Sequence, residues 1–267
     1  QFAIIFGMLI VYFVNYYIVR QGDDTWLNTV GWRWMFASET IPAILFLFLL
    51  FFVPETPRFL VMKNKEDSAL ELLIKLDSKS KADTILKDIK ESLKVKDAPW
   101  LSYGGLLIII GIFLSVFQQF VGINVVLYYA PEIFRNMGSG TDASLLQTII
   151  VGAANLSFTI LAIFTVDKFG RKPLQIIGAL GMAVSMIALG FTFYLKSVGM
   201  GALIFMMIYT ASFAMSWGPV TWVLLSEIFP NKIRGAMSIA VAAQWVANLI
   251  ISWTFPIMND SSWLTEK

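Results

Sequence analysis

The sequence predicts an all-α membrane protein with about seven transmembrane helices and short cytoplasmic amphipathic helices. Of the 267 residues, 57% are hydrophobic and only 14% are charged, whereas soluble domains are roughly 45–50% apolar. The charged residues gather in short segments between long apolar runs. A helical run of about 20 apolar residues matches the hydrocarbon thickness of a bilayer, and in lipid only a helix satisfies the backbone groups of such a run.

The apolar runs of this length define the expected spans. They are bounded by charged residues or by glycine and proline, and they cover residues 1–19, 33–53, 102–130, 143–166, 174–195, 202–228 and 235–257. Three of the connecting segments, 54–100, 167–173 and 229–236, hold 15 of the 20 lysines and arginines. Because successive helices alternate direction, these segments lie on one side, which the positive-inside rule assigns to the cytoplasm. The linkers 20–32, 131–142 and 196–201 are then outside.

Segment 54–100 is the one sizeable stretch expected outside the bilayer. Thr56 followed by Pro57 is typical of a helix N-cap and first helical position. Leucines and isoleucines then recur at helical spacing among charged residues, for example at Leu70 and Leu73. We therefore predict short amphipathic helices on the cytoplasmic face; the alternative is a solvated charged linker.

Composition also limits the chemistry of the chain. The sequence has neither cysteine nor histidine, so disulfides, the usual zinc sites and the usual imidazole base are excluded. We expect no metal, no cofactor and no enzymatic activity. The net charge of +2 argues neither for nor against nucleic acid, because the charges gather in short loops between apolar runs. We expect the lipid bilayer as a partner and no nucleic acid.

Polar side chains within a predicted span are functional candidates, because burying them in lipid is costly. The densest group is Gln118, Gln119 and Asn124 in the span 102–130. Gly122 and Asn124 suggest a local helix break, and Pro131 is expected to end the segment. Broken helices present backbone and amide groups to solutes in transporters, and adjacent amides suit the hydroxyls of a sugar. The alternative is hydrogen bonding between packed helices.

Two further groups pair polar and aromatic side chains. Trp217, Gly218 and Trp222 surround Pro219, which should kink the span 202–228, and an indole can stack on a sugar ring. The alternative for these tryptophans is an interfacial anchor. Gln244 and Trp245 form the other pair, at the middle of the span 235–257. Asn155 and Asn248 are isolated amides, for which a structural role is the usual one.

Charged residues collect at the predicted cytoplasmic ends of the helices. A carboxylate at a helix C-terminus opposes the helix dipole and favours a cationic partner. Either these residues are independent turn signals, or they form one ion-pair network that holds neighbouring helices together on the inside. The candidate members of the network are Glu55, Arg58, Asp167, Arg171, Glu227 and Arg234.

Four sequence motifs resemble those of the sugar porter family of the major facilitator superfamily. They are PETPR at 54–58, QQFVGIN at 118–124, DKFGRKP at 167–173 and WGPVTWVLLSEIFPNKIRG at 217–235. Their order and spacing resemble those of the family. The resemblance implies a partial major facilitator fold that runs from the family's fifth helix to its eleventh. Residues 1–53 would be the last two helices of the N-terminal half, 54–100 a cytoplasmic helical linker, and 101–267 the C-terminal half without its last helix.

The resemblance also implies a function. We expect transport of a monosaccharide, D-xylose, across the bacterial inner membrane by alternating access, with protons as the coupling ion. The implied sugar-binding residues are Gln1, Gln118, Gln119, Asn124, Trp222, Gln244 and Trp245. A sugar facilitator, a polyol (inositol-type) symporter and a transporter-like sugar sensor are the alternatives.

Overall fold

The structure, a computed structural model, describes residues 1–94, 99–195, 199–229, 233–259 and 261, without the side chains of Lys94 and Arg234. The described residues form helices and no strand. The helical segments that are long and apolar enough to cross a membrane are Phe2–Val19, Asp24–Leu50, Gly105–Tyr128, Thr141–Phe169, Arg171–Tyr194, Met200–Ile228 and Gly235–Asn259. They confirm the seven predicted spans.

The chain divides into two compact units. The first contains the described residues within 1–35, 103–230 and 234–267, and the second those within 36–102 and 231–233. The division into 1–53, 54–100 and 101–267 stays a prediction.

The first unit opens with helix α1 (Phe2–Val19). A short helix α2 (Asp24–Trp26) and a π-helical turn (Leu27–Gly31) lead into α3 (Trp32–Ser38), within which the two units meet along the chain. The span predicted at 33–53 therefore begins earlier, at Asp24. The side chain of Asp23 accepts a hydrogen bond from the backbone N–H of Trp26 and caps the helix there.

The second unit contains α4 (Thr40–Leu50), α5 (Pro57–Met62), α6 (Glu66–Leu76) and α7 (Lys79–Lys94). The hydroxyl of Thr56 accepts a hydrogen bond from the N–H of Phe59 at 3.3 Å, as expected for an N-cap. Ala69, Leu73 and Ala82 are buried between these short helices. The predicted amphipathic helices are therefore confirmed, and the solvated-linker alternative is wrong.

The remaining helices belong to the first unit. A 3-10 turn (Trp100–Tyr103) lies at the boundary and precedes them. They are α8 (Gly105–Phe120), α9 (Ile123–Tyr128), α10 (Ala130–Asn136), α11 (Thr141–Phe169), α12 (Arg171–Tyr194), α13 (Met200–Met215), α14 (Trp217–Ile228) and α15 (Arg234–Asn259).

The predicted break in the span 102–130 lies at Gly122, which separates α8 from α9 with a φ of 85°. Only glycine adopts this left-handed conformation without steric cost. The span ends at Tyr128, just before Pro131 as expected, and Pro131 lies in the first turn of the next helix, α10. A proline is tolerated there because the first-turn N–H groups have no intrahelical acceptor.

The break in the span 202–228 lies at Ser216, between α13 and α14, with φ of −129° and ψ of −91°. Pro219, where the sequence placed a kink, is in the first turn of α14. Within a continuous helix its ring would clash with the carbonyl four residues earlier. The chain avoids this clash by leaving the helix before Trp217, so the break precedes the proline.

Small residues let the helices of the first unit approach closely, as is common in membrane bundles. A methyl group added at Gly178 on α12 would lie 1.7 Å from Oγ of Ser216. A methyl group at Gly111 on α8 would lie 3.4 Å from Cβ of Ala240 on α15. Large apolar side chains such as Leu180 are instead exposed on the outside of the helices, where lipid would cover them.

Candidate functional site

The broken segment α8–α9 carries the predicted amides. The first of them, Gln118, connects this segment to the break before α14. Gln118 is only 2% exposed. Its Nε2 donates to the main-chain carbonyl of Trp217 at 3.0 Å and, at 3.5 Å, to that of Gly218. Both carbonyls belong to the first turn of α14. The break after α8 and the break before α14 therefore lie side by side.

Gln119 and Asn124 extend this contact into a chain of side-chain amides. Nε2 of Gln119 donates to Oε1 of Gln118 at 3.5 Å, and Nδ2 of Asn124 donates to Oε1 of Gln119 at 2.6 Å. Nδ2 of Asn124 also donates to Oδ1 of Asn248 on α15 at 3.0 Å. The break at Gly122 makes this possible, because a straight helix would turn these side chains in different directions.

This amide chain, defined as Gln118, Gln119, Asn124 and Asn248, has unused hydrogen-bonding capacity. A carboxamide has two N–H donors and an oxygen with two lone pairs. The described bonds leave Oδ1 of Asn124, one lone pair of the Gln118 oxygen and one hydrogen of the Gln119 nitrogen unused. Neutral donors and acceptors set side by side suit a ligand whose hydroxyls both donate and accept.

Gln244 lies on the same helix interface as the amide chain. On α15 it is one turn from Ala240, which meets α8 at Gly111, and one turn from Asn248. It is 4% exposed, and its Oε1 has no hydrogen-bond partner in the described part of the chain. A buried unpaired amide oxygen costs free energy, so this group is poised to accept from a ligand.

Gln1 approaches the same place from the start of α1, and Trp222 follows Gly218 by one turn on α14. A methyl group added at Gly218 would lie 3.4 Å from Nε2 of Gln1, which places the first residue beside the first turn of α14. Trp222 lies four residues beyond Gly218 and hence on the same face of α14. Its side chain is partly exposed.

Trp245 differs from the other predicted site residues because it is 60% exposed. Its neighbour Gln244 points into the interface with α8, and adjacent helical residues point about 100° apart. A separate cavity of about 470 Å³ beside α9 is lined mainly by apolar side chains, such as Phe120 and Phe255, and by none of the predicted site residues.

A charged group lies where α11 ends and α12 begins, and it is centred on Arg171. Its Nη1 lies 3.0 Å from Oδ1 of Asp167, and its Nη2 lies 3.0 Å from Oε1 of Glu227 on α14. Arg171 therefore links α11, α12 and α14. Glu55 and Arg58 are exposed residues of the second unit, and the side chain of Arg234 lies outside the described part of the chain.

Sequence reasoning missed two participants. Asn248 was read as an isolated structural amide, although its spacing of four residues from Gln244 places both on one face of α15. Gln175 on α12 was not singled out at all. Its main-chain carbonyl accepts from Nε1 of Trp217 at 3.0 Å, and its Nε2 donates to Oγ1 of Thr221 at 3.4 Å. Nothing in the sequence marks a carbonyl acceptor of this kind.

Residues 1–265 match the family model described as sugar (and other) transporter. The D-xylose-proton symporter of Escherichia coli is 61% identical over 99% of this chain and 55% of the relative. The glucose facilitated diffusion protein of Zymomonas mobilis is 42% identical over 100% of this chain and 57% of its own length. The chain thus spans a little over half the length of these relatives.

Solved structures show the same architecture. The xylose transporter of Escherichia coli in a partially occluded inward-open conformation aligns with a TM-score of 0.85 and 58% identity, over 98% of this chain and 56% of that one. The proton:xylose symporter bound to 6-bromo-6-deoxy-D-glucose aligns with a TM-score of 0.81 and 61% identity, over 99% and 56%. With its apolar spans and its matched motifs, the chain is a multi-pass membrane protein that belongs to the sugar (and other) transporter family.

Proposed function

We propose that this chain transports a monosaccharide, D-xylose, across the bacterial inner membrane by alternating access, in symport with protons. The observation that carries the proposal is the buried amide chain of α8–α9, found in a chain that is 61% identical to a D-xylose-proton symporter. Transport and not catalysis is the activity that this family membership favours.

The contacts of the site support a sugar as the ligand. Gln118, Gln119, Asn124 and Gln244 offer neutral donors and acceptors, which match hydroxyl groups without the desolvation cost of a charge. Trp222 would stack on the apolar face of the ring. Gln1 would add an amide from α1, and Trp245 would line the exposed side of the pocket.

Alternating access supplies a role for the remaining predicted residues. In this proposal 1–53 and 101–267 belong to two halves that rock about the sugar, and 54–100 links them on the cytoplasmic side. The contacts of Arg171 with Asp167 and Glu227 would break and form as the cytoplasmic side opens and closes. Glu55, Arg58 and Arg234 would belong to the same gating network.

A sugar facilitator is the second candidate, favoured by the 42% identity to a glucose facilitated diffusion protein. The two candidates differ in their dependence on a proton gradient. The test is uptake of radiolabelled D-xylose into proteoliposomes that contain the full-length product of the gene, with and without an inward proton gradient. Symport predicts accumulation above the external concentration only with the gradient, and a facilitator predicts equilibration in both cases. No saturable uptake of D-xylose or D-glucose in either case would contradict the proposal.

A further inference from the structure

Trp217 joins the amide chain to a helix that contributes no side chain to it. Its main-chain carbonyl accepts from Gln118 at 3.0 Å, and its indole Nε1 donates to the carbonyl of Gln175 on α12 at 3.0 Å. One residue thus bonds α8 through its backbone and α12 through its side chain. The residues proposed to bind the sugar include none from α12.

The first turn of α14 needs an anchor of this kind. The chain leaves the helical conformation at Ser216, so α14 does not start as a straight continuation of α13. Contacts with α12 replace this missing continuity. Ser216 packs against Gly178, where a methyl group would clash, and Gln175 also donates to Thr221, which is fully buried.

The amide chain is directional. Asn124 donates to Gln119, Gln119 donates to Gln118, and Gln118 donates to the carbonyl of Trp217. A carboxamide can rotate by half a turn and exchange its donor and acceptor ends. The chain keeps one direction because it ends on a carbonyl, which can only accept. If the first turn of α14 moves away with the carbonyls of Trp217 and Gly218, Gln118 is free to turn. The orientations of Gln119 and Asn124 are then no longer fixed.

We propose that Trp217 is a positioning residue that, through its indole bond to α12, fixes the direction of the amide chain and so presents Oε1 of Gln118 as an acceptor to the ligand. The proposal rests on the proposed sugar transport. It has a chemical consequence: the hydroxyl that meets Gln118 must donate a hydrogen bond. A deoxyfluoro sugar, whose fluorine cannot donate, should bind poorly when it carries fluorine at that position.

The test compares Trp217→Phe, which keeps an aromatic ring but removes the donor, with Thr148→Val, which keeps the side-chain shape but removes a hydroxyl. Thr148 is the matched control because it is buried on α11 and its hydroxyl donates to a main-chain carbonyl, that of Ser144, away from the amide chain. Binding of D-xylose and its monofluoro analogues to the full-length product of the gene is measured by calorimetry. Trp217→Phe should weaken D-xylose binding about five- to tenfold and reduce the penalty for fluorine at one position. Thr148→Val should leave that penalty unchanged, and an equal effect of both variants would overturn the proposal.

A double-mutant cycle separates positioning from general destabilisation. If Trp217 acts through Gln118, then Trp217→Phe should have no further effect on affinity in a Gln118→Ala background. The same fold-loss in both backgrounds would contradict the proposal. Should Trp217→Phe fold poorly, Trp217→benzothienylalanine tests the same bond, because it keeps the shape of the indole and replaces its N–H by sulfur. Unchanged affinity and an unchanged fluorine pattern in that variant would then count against the proposal.

A ligand-free measurement keeps this inference distinct from the proposed function. The side-chain amide resonance of Gln118 in ¹⁵N-glutamine-labelled protein is identified by its absence in Gln118→Ala. Trp217→Phe should shift or broaden that resonance, and Thr148→Val should not. If the wild-type protein binds no sugar but the resonance responds as expected, the sugar function fails and the positioning role stands. If sugar binds and the resonance does not respond, the positioning role fails alone.

Discussion

The amide chain and the Arg171 group, both in the first unit, differ in charge and in burial. The amide chain is neutral and largely buried, and each of its members bonds to the next. The Arg171 group is charged and more exposed, with 30% of the Arg171 side chain, 78% of Asp167 and 48% of Glu227 accessible. Burial of charge would cost several kcal/mol per ion, whereas bonded amides are tolerated in an apolar interior.

The two regions also differ in what the loss of a partner costs. Buried amides lose free energy when a partner is removed, because the remaining group stays unpaired. Exposed ion pairs are worth roughly 0–1 kcal/mol, because water replaces the lost partner. In the proposed function, the first region would supply a fixed recognition geometry, and the second would supply contacts that form and break during transport.

The largest effect is expected for Gln118→Ala. Loss of this side chain leaves the sugar hydroxyl that meets it without a partner in the site, at about 1–3 kcal/mol, which corresponds to roughly 5- to 150-fold in sugar affinity. The measurement is a binding titration with D-xylose. Gln147→Ala is the matched control, since Gln147 is a partly buried glutamine bonded to Ser139 away from the amide chain. Equal affinities in the two variants would show that the amide chain is not the recognition site.

An intermediate effect, with opposite signs on stability and binding, is expected for Gln244→Leu. The oxygen of Gln244 is buried without a partner, so replacing it by an apolar group of similar size should leave the thermal midpoint equal or higher. Sugar affinity should nevertheless fall, because the ligand loses an acceptor.

Asn124→Leu provides the contrast to Gln244→Leu, since Asn124 makes two hydrogen bonds within the protein and its loss should lower both stability and affinity. A lower midpoint for Gln244→Leu would mean that Gln244 has a structural role instead.

The smallest effect on affinity is expected for Arg171→Ala. Sugar binding should change less than about twofold, because the group is exposed and outside the site, while the rate of transport should change. Since the sequence contains no cysteine, a cysteine introduced at the exposed Ser226 can report access to this end of the helices. Lys172→Ala is the control, a neighbouring exposed cation. If that cysteine is labelled equally in Arg171→Ala and in Lys172→Ala, a gating role for Arg171 is ruled out.

Several local features were predictable because they depend on one or two residues. Gly122 marked the break in the span 102–130, since few other residues adopt its left-handed conformation. Thr56 and Pro57 marked the start of α5 for a similarly local reason. Pro219 was a weaker guide: it excluded a straight helix but did not say on which side the chain would break.

The partners of the polar side chains were less predictable. Gln118, Gln119 and Asn124 were found as a group because they lie close together in the sequence. Asn248 was not assigned to that group, although its bond to Asn124 makes it part of the amide chain. Long-range pairing of this kind depends on the register of α15 along α8, which a single helix does not encode.

The sequence by itself determined the number of spans, the positions of the amphipathic helices and the presence of neutral amides in apolar surroundings, because these follow from composition and local periodicity. Only the tertiary structure decided which groups those amides bond, that the breaks at Gly122 and Ser216 meet, and that α12 anchors Trp217. The physical reason is that a carboxamide can donate or accept in either orientation. Its direction is fixed only by partners that distant parts of the chain bring to it.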